Sequence, residues 1–264
     1  MPLHAGAHGL MDDTATLEFG GETLVLTHDA IAEGVHYKPG TDPADVAWKL
    51  VAVNLSDLAA KGAEPIGVLI GATLSDARFI QGLREILTAY SVPLLGGDTI
   101  SVRPAVYGCT AIGRAPAVPK RTGARPGDAL WVTGEIGAAM RDFAVDGPAY
   151  RRPRPRLAEG RALAPHVTAM MDVSDGLLLD ARRIAEASGC SVEIALGEIP
   201  FAQGVDDRLA AAAWGDDYEL LFAAPAGFTP PVPAARIGVL TSPGEVALRL
   251  DGEIPPGKLG YQHG

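Results

Sequence analysis

A chain of 264 residues can bury a sizeable core, in one large domain or two of ordinary size. Hydrophobic residues make up 47% and charged residues 20%, which excludes a disordered chain. The formal net charge of −10 disfavours nucleic acid or an anionic membrane as a general partner, whereas an anionic small molecule stays open because bound metal inverts local charge.

Met11-Asp12-Asp13 reads as a polar N-terminal loop. Thr23 to Thr27 predicts a strand that ends at His28-Asp29. Asp42-Pro43 opens a helix, with Asp42 as its cap and Pro43 at the first helical position. Ala47, Leu50, Val51, Asn54, Leu55 and Leu58 form the inner face, and Gly62 ends the helix. Ile66 to Thr73 reads as a buried strand, and Ser75 caps a second helix with Phe79, Leu83, Ile86, Leu87 and Tyr90 on one stripe. Val92 to Leu95 predicts a short strand running into Gly96-Gly97-Asp98, and Ala105 to Ile112 predicts another. Strands mixed with helices make the first half an α+β domain. Pro116, Pro119, Gly123, Pro126 and Gly127 mark a seam, so domains 1–115 and 116–264 are expected.

Ala129 to Thr133 begins the second half. The proline-rich basic stretch Tyr150 to Arg156 reads as a surface segment leading to a short helix. Val167 to Asp172 is a strand that delivers Asp172 and Asp175 into a turn, and the following helix closes at Gly189. Ser191 to Leu196, Leu220 to Ala223 and Ala247 to Leu250 are further strand-like segments. Cys109 and Cys190 lie far apart in apolar surroundings and read as buried free thiols, which fits a reducing cytoplasm. Met1 to Leu10 lacks the pattern of a signal peptide, and no uncharged apolar run approaches the roughly 20 residues of a membrane helix.

Short acidic motifs carry the chemistry. Carboxylates gathered in one cleft repel one another unless cations neutralise them, so together these motifs suggest a site for hard, oxygen-binding metal ions. Asp172-Val-Ser-Asp175-Gly176 is the sharpest. A helix cap explains Ser174 or Asp175, but a metal held by Asp172 and Asp175 also explains an Asp at the end of an apolar strand. Asp57 has two readings of equal weight: a surface pair with Lys61, or a pocket carboxylate beside a buried Asn54. Gly96-Gly97-Asp98-Thr99 reads first as a turn and second as a phosphate or metal approach. His28-Asp29 fits a strand-end turn, and His36 a packed or solvated histidine. Gly215-Asp216-Asp217-Tyr218-Glu219 reads as an exposed acidic turn. Arg121, with Arg114, Lys120 and Arg125, forms a basic cluster at the seam, either solvated surface or a phosphate contact across a domain cleft. No P-loop, protein-kinase motif set or zinc spacing is present, and oxygen-rich ligands favour magnesium.

In this order and spacing the motifs resemble the thiamine-monophosphate kinases of the aminoimidazole-ribonucleotide-synthetase-like, or PurM-like, superfamily. The runs are Asp29-Ala-Ile-Ala-Glu-Gly-Val-His36, Ala52 to Ala60, Gly96 to Thr99, Arg121 to Asp128 and Asp172 to Leu177. The resemblance implies a two-domain architecture with an N-terminal α+β sheet domain that dimerises and a C-terminal α/β domain. It implies ATP-dependent phosphorylation of thiamine monophosphate to thiamine diphosphate by direct in-line transfer. By matched position Asp13, Thr27, Asp29, Asp57, Asp98, Asp172 and Asp175 resemble Mg²⁺ ligands. Gly97, Asp98, Arg121 and Ser174 resemble ATP contacts, and His36 and Asp216 contacts to the thiamine phosphate. The acceptor is an anionic phosphate oxygen, so no catalytic base is expected. Met11, His28 and Asp216 depart from the family pattern of Gly, Thr and Glu, and the usual C-terminal aromatic is missing. Another PurM-like synthetase, such as a selenophosphate synthetase, is an alternative, although no Cys precedes Cys109. A non-catalytic nucleotide-binding homologue is the other.

Overall fold

The computed structural model describes residues 2–73, 76–101 and 105–262. β1 (Ala15–Phe19) and β2 (Glu22–Ala32) form a hairpin across Gly20-Gly21, whose positive φ values of 63° and 85° suit a tight strand connection. The chain then enters α1 (Pro43–Ala60), where the Asp42 carboxylate accepts from the Ala44 N–H at 2.9 Å. β3 (Glu64–Thr73), α2 (Ala77–Tyr90), β4 (Leu94–Ile100) and β5 (Val106–Arg114) complete the first half. The five strands lie in the order β1-β2-β5-β3-β4, with β4 parallel to β3 and the other pairs antiparallel.

The two-residue period of a strand decides which side chains of this sheet meet α1. Val25, Thr27 and Ile31 of β2, Val68 and Ile70 of β3, and Tyr107, Cys109 and Ala111 of β5 are buried on the α1 side. Leu69 and Val106, out of phase with them, are exposed.

The second half forms a six-stranded sheet. Its strands are β6 (Ala129–Thr133), β7 (Ala169–Asp172), β8 (Ser191–Ile194), β9 (Leu220–Ala224), β10 (Ala234–Thr241) and β11 (Leu248–Leu250), in the order β11-β8-β10-β6-β9-β7. Short helices α3 (Ala138–Val145), α4 (Pro148–Arg151) and α5 (Leu157–Leu163) lie between β6 and β7. α6 (Leu177–Ala187) follows β7, and α7 (Arg208–Ala212) precedes β9. Alternation again sorts the contacts. Met170, Leu220 and Phe222 join the core around α1, whereas Met171, Leu221 and Ala223 join the core around α6.

α1 therefore lies between two sheets. The one-sided helix expected from its stripe is instead buried nearly all round, with Lys49, Asn54, Ser56, Asp57 and Lys61 inside. A helix in that position carries its polar residues only where the partner sheets supply partners.

Other expectations change. β2 does not stop at His28-Asp29 but runs to Ala32, because β5 pairs along its whole length. Gly96 to Thr99 is strand rather than turn, held parallel to Leu69 to Ala72. β1 and β10 have no counterpart in the sequence reading. Ser75 lies outside the described residues, and Asp76 caps α2 by accepting from the Arg78 N–H at 2.8 Å. Arg151 and Arg152 are no free surface segment: both bind Asp45 of α1, and Arg152 also binds Glu85 at 2.8 Å. Cys109 and Cys190 are buried and unpaired as expected. Among the described residues no helix is long and apolar enough to cross a membrane.

Candidate active site

Three carboxylates converge where α1, β7 and the N-terminal loop meet. Oxygens of Asp13, Asp57 and Asp172 lie within 4.8 Å of one another. Each is placed by a different device. Asp57 projects from α1, and the Thr27 hydroxyl of β2 donates to it at 2.5 Å. Asp172 ends β7, and the Ser56 hydroxyl donates to its Oδ2 at 2.5 Å. Asp13 takes the guanidinium of Arg121 and lies 3.9 Å from the ammonium of Lys61, which is bonded at 2.5 Å to Asp12. Asn54 is a spacer between α1 and β2: its Oδ1 accepts from the Asp29 N–H at 3.0 Å, and its Nδ2 donates to the Leu50 carbonyl at 2.9 Å.

Such crowding raises proton affinity. Burial, then repulsion from Asp172, Asp29 and Asp13, pushes the Asp57 carboxyl well above the ordinary carboxylate range. Burial, then Asp13, raises Asp172 to about 7, and burial with Asp13 also raises Asp29. The Asp172 Oδ1 is buried with no hydrogen-bond partner. An orphaned oxygen beside two further carboxylates is a donor set for a hard cation, and Mg²⁺ fits it. Of the two readings of Asp57, the surface pair with Lys61 does not form: both are buried, and Lys61 faces Asp12 and Asp13.

The turn after β7 extends the site. Asp175 binds Arg183 at 2.6 Å, and the buried Asp180 accepts from the Asp175 N–H at 3.1 Å. Burial pushes Asp180 up to about 8, although Arg183 opposes the shift. Against this turn lies the 215–219 segment, which is not an exposed acidic turn. The Asp216 N–H donates to the Ser174 carbonyl and the Tyr218 N–H to the Val173 carbonyl, both at 2.8 Å. Asp217 is partly buried and accepts from the Gly137 N–H at 3.0 Å, with desolvation raising it to about 7. Glu219 is buried against Arg156 and the Thr133 hydroxyl, 2.5 and 2.7 Å away. Asp216 alone of these acids meets the cleft, bonded at 2.9 Å to Lys49. Lys49 also donates to the His36 carbonyl at 2.9 Å and lies 3.9 Å from the Tyr150 ring centroid. Burial depresses its pKa against the pull of Asp216.

These groups line one cleft of about 810 Å³. It brings together Asp13, Asp29, His36, Asp57 and Arg121 with Asp172, Ser174, Asp175 and Asp216. Thr27 stands behind Asp57. Gly97 and Asp98 do not line the cleft. They lie on exposed β4, where a Cβ on Gly97 would meet the Ile70 carbonyl oxygen at 1.9 Å and Asp98 accepts from the Thr99 N–H at 2.8 Å. The basic cluster also divides, because Arg114 binds Glu64 and Glu22 on the surface and only Arg121 reaches the cleft.

Residues 11–115 match the family model "AIR synthase related protein, N-terminal domain", and residues 125–229 match its C-terminal domain. The chain is 36% identical to the thiamine-monophosphate kinase of Caulobacter vibrioides, covering 100% of this chain and 88% of that protein. The chain belongs to the thiamine-monophosphate kinase family. Its fold is similar to that of AaThiL complexed with AMPPCP and TMP, with a TM-score of 0.87 and 27% identity over 97% of this chain and 94% of that one. It is also similar to the thiamine-monophosphate kinase of Stenotrophomonas maltophilia, with a TM-score of 0.79 and 30% identity over 91% and 92% of the two chains. Likeness to the hydrogenase maturation protein HypE, at 19% identity, shows the fold alone.

The site also rests on residues that the motifs do not include: Lys49 and Asp180 bond to cleft residues. Lys61, in one reading a surface partner of Asp57, instead secures the Asp12-Asp13 loop. The available signal was a charge inside an apolar helical run, which demands a buried partner. Phe143, Tyr150 and Trp214 form a connected aromatic cluster in the cleft wall, and no periodicity connects them.

Proposed function

We propose that this chain transfers the terminal phosphoryl group of ATP to thiamine monophosphate, giving thiamine diphosphate and ADP. The observation that carries the reading is the meeting of Asp13, Asp57 and Asp172 in one cleft of a chain 36% identical to a thiamine-monophosphate kinase. AaThiL, of similar fold, is complexed with AMPPCP and TMP, which supports ATP and thiamine monophosphate as co-substrates.

Asp13, Asp57 and Asp172 would hold Mg²⁺, with Asp29 and Asp175 at the rim and Thr27 fixing Asp57. Bound Mg²⁺ supplies the positive charge that lets two phosphate chains approach. Arg121 offers a guanidinium to the ATP phosphates once it leaves Asp13, and Ser174 offers its hydroxyl. His36 and Asp216 border the thiamine phosphate. The nucleophile is a phosphate oxygen already anionic at neutral pH, so transfer is direct and uses no side-chain base or phosphoenzyme. Positioning and electrostatics then supply the rate. Gly97 and Asp98 are left out of this assignment because they do not line the cleft.

The same reading includes domains 1–115 and 116–264, a cytoplasmic location that suits two free buried thiols, and a homodimer. Exposed Leu69, Leu94, Leu95 and Val106 on the first sheet support the dimer. Incubation with Mg-ATP and thiamine monophosphate should give thiamine diphosphate, resolved by chromatography, in equal amount to ADP. Nucleotide binding without product would favour the non-catalytic homologue instead.

A further inference from the structure

We propose that Trp214 is the stacking residue for the substrate's heterocycle, and that it fixes the distance from that ring to the metal-binding turn. The inference rests on the reading of the substrate as thiamine monophosphate, which carries a planar pyrimidine and a cationic thiazolium beside its phosphate.

The cleft has two chemically distinct regions: Asp13, Asp57 and Asp172 cluster in one, and Phe143, Tyr150 and Trp214, beside Lys49 and Asp216, form the other; Tyr261 also lines the cleft. The three rings form a connected cluster: Phe143 meets Tyr150 edge-on at 5.0 Å between centroids and Trp214 at 5.1 Å. They are not equally available. The Lys38 ammonium lies 4.1 Å from the Phe143 centroid, and Lys49 lies 3.9 Å from that of Tyr150. Among the described residues no cation sits over Trp214, which is 37% exposed and is the ring type that attracts a cation most strongly. A cationic heterocycle entering this end therefore finds at Trp214 a ring face not already occupied by a lysine.

The backbone sets where that wall stands. The Trp214 N–H donates to the Ala211 carbonyl at 3.2 Å, closing the end of α7. Gly215 follows with φ +96° and packs so closely that an added Cβ would lie 2.5 Å from the Ser174 carbonyl oxygen. The Asp216 N–H then bonds that same carbonyl at 2.8 Å. Ser174 belongs to the turn between Asp172 and Asp175. The stacking ring and the metal-binding turn are thus joined through two residues, and a substrate that satisfies both must carry its anionic group at a set distance from its ring.

The test is calorimetric titration of the full-length protein with thiamine monophosphate and, separately, with Mg-ATP, using wild type, Trp214→Phe and Trp214→Ala. Trp214→Ala should weaken thiamine monophosphate binding about tenfold and Trp214→Phe by less, with Mg-ATP binding unchanged. In wild type the ligand should also quench tryptophan fluorescence, and Trp214→Ala should abolish that quenching at saturating ligand. Trp48 and Trp131 do not line the cleft and serve as internal controls. Unchanged binding in Trp214→Ala, or weakened Mg-ATP binding instead, would overturn the proposal. If Trp214→Ala does not fold, comparison of Trp214→Phe with wild type decides it by the quenching that only an indole at this position gives. Wild type that binds thiamine monophosphate at Trp214 but makes no thiamine diphosphate would refute the proposed reaction while leaving the stacking role intact.

Discussion

The two ends of the cleft are held by different kinds of structure. The carboxylate end rests on long elements, α1 and β2, and on β7, the edge strand of the second sheet, whose residues are all buried. Each acid there is fixed by a neighbour: Thr27 on Asp57, Ser56 on Asp172, Arg121 on Asp13. The aromatic end rests on short helices and on a turn in which Asp216 and Tyr218 have positive φ values of 60° and 52°. Repelling charges need a frame that does not yield, because relaxation would let them separate or protonate. Shape recognition by rings tolerates a lighter scaffold, anchored at a few points. On the proposed assignment, chemistry and selectivity rest on separate scaffolds.

The largest expected effect is at the charged end. Asp57→Asn should lower Mg²⁺-dependent turnover by about 10³-fold or more. The metal-free variant should melt no lower than wild type, because removing one of several buried, mutually repelling carboxylates relieves the fold. Turnover and thermal melting of one purified sample check both halves. A large loss of stability would mean that Asp57 is a structural anchor rather than a functional charge.

Next comes the anchor of the aromatic end. Arg156 binds the buried Glu219, the last residue of the 215–219 segment. Arg156→Ala leaves that carboxylate short of a cation and should cost about 2 kcal/mol, less than for a fully buried pair because Arg156 is partly exposed. Denaturant unfolding measures the loss. Here stability should fall while the affinity for Mg²⁺ holds, the opposite pattern to Asp57→Asn.

The last effect is a pH dependence. The Asp172 carboxyl is raised from 3.8 to about 7. A carboxyl raised in the folded state stabilises the fold below its unfolded value, and that contribution is lost as pH rises through the folded value. Metal-free protein should therefore lose stability as pH increases from about 4 to above 7, and added Mg²⁺ should raise the melting temperature most at the alkaline end. A Mg²⁺ stabilisation independent of pH would contradict the shared carboxylate site.

The same contrast explains what the sequence revealed. Asp172 and Asp175 were legible because strand, turn and helix start are all local, and Asp42-Pro43 announced α1 for the same reason. Asp57 stood at even odds, since its surroundings depend on a second sheet packing over α1, which no pattern within the helix encodes. Gly96-Gly97-Asp98 looked like a turn because its local chemistry is that of a turn, yet parallel pairing with β3 overrides it. Phe143, Tyr150 and Trp214 are single aromatics on separate short segments, so only the folded chain brings them together. Arg151 and Arg152 looked like solvated surface because their partner, Asp45, is more than a hundred residues away.

The most direct measurement compares wild type with Asp172→Asn at saturating thiamine monophosphate and Mg-ATP, following thiamine diphosphate by chromatography and substrate binding by calorimetry. The account predicts product from wild type, and from Asp172→Asn thiamine monophosphate binding that is kept while product formation is lost. Near-normal turnover in Asp172→Asn would contradict the assignment of phosphoryl transfer to the buried carboxylates of this cleft.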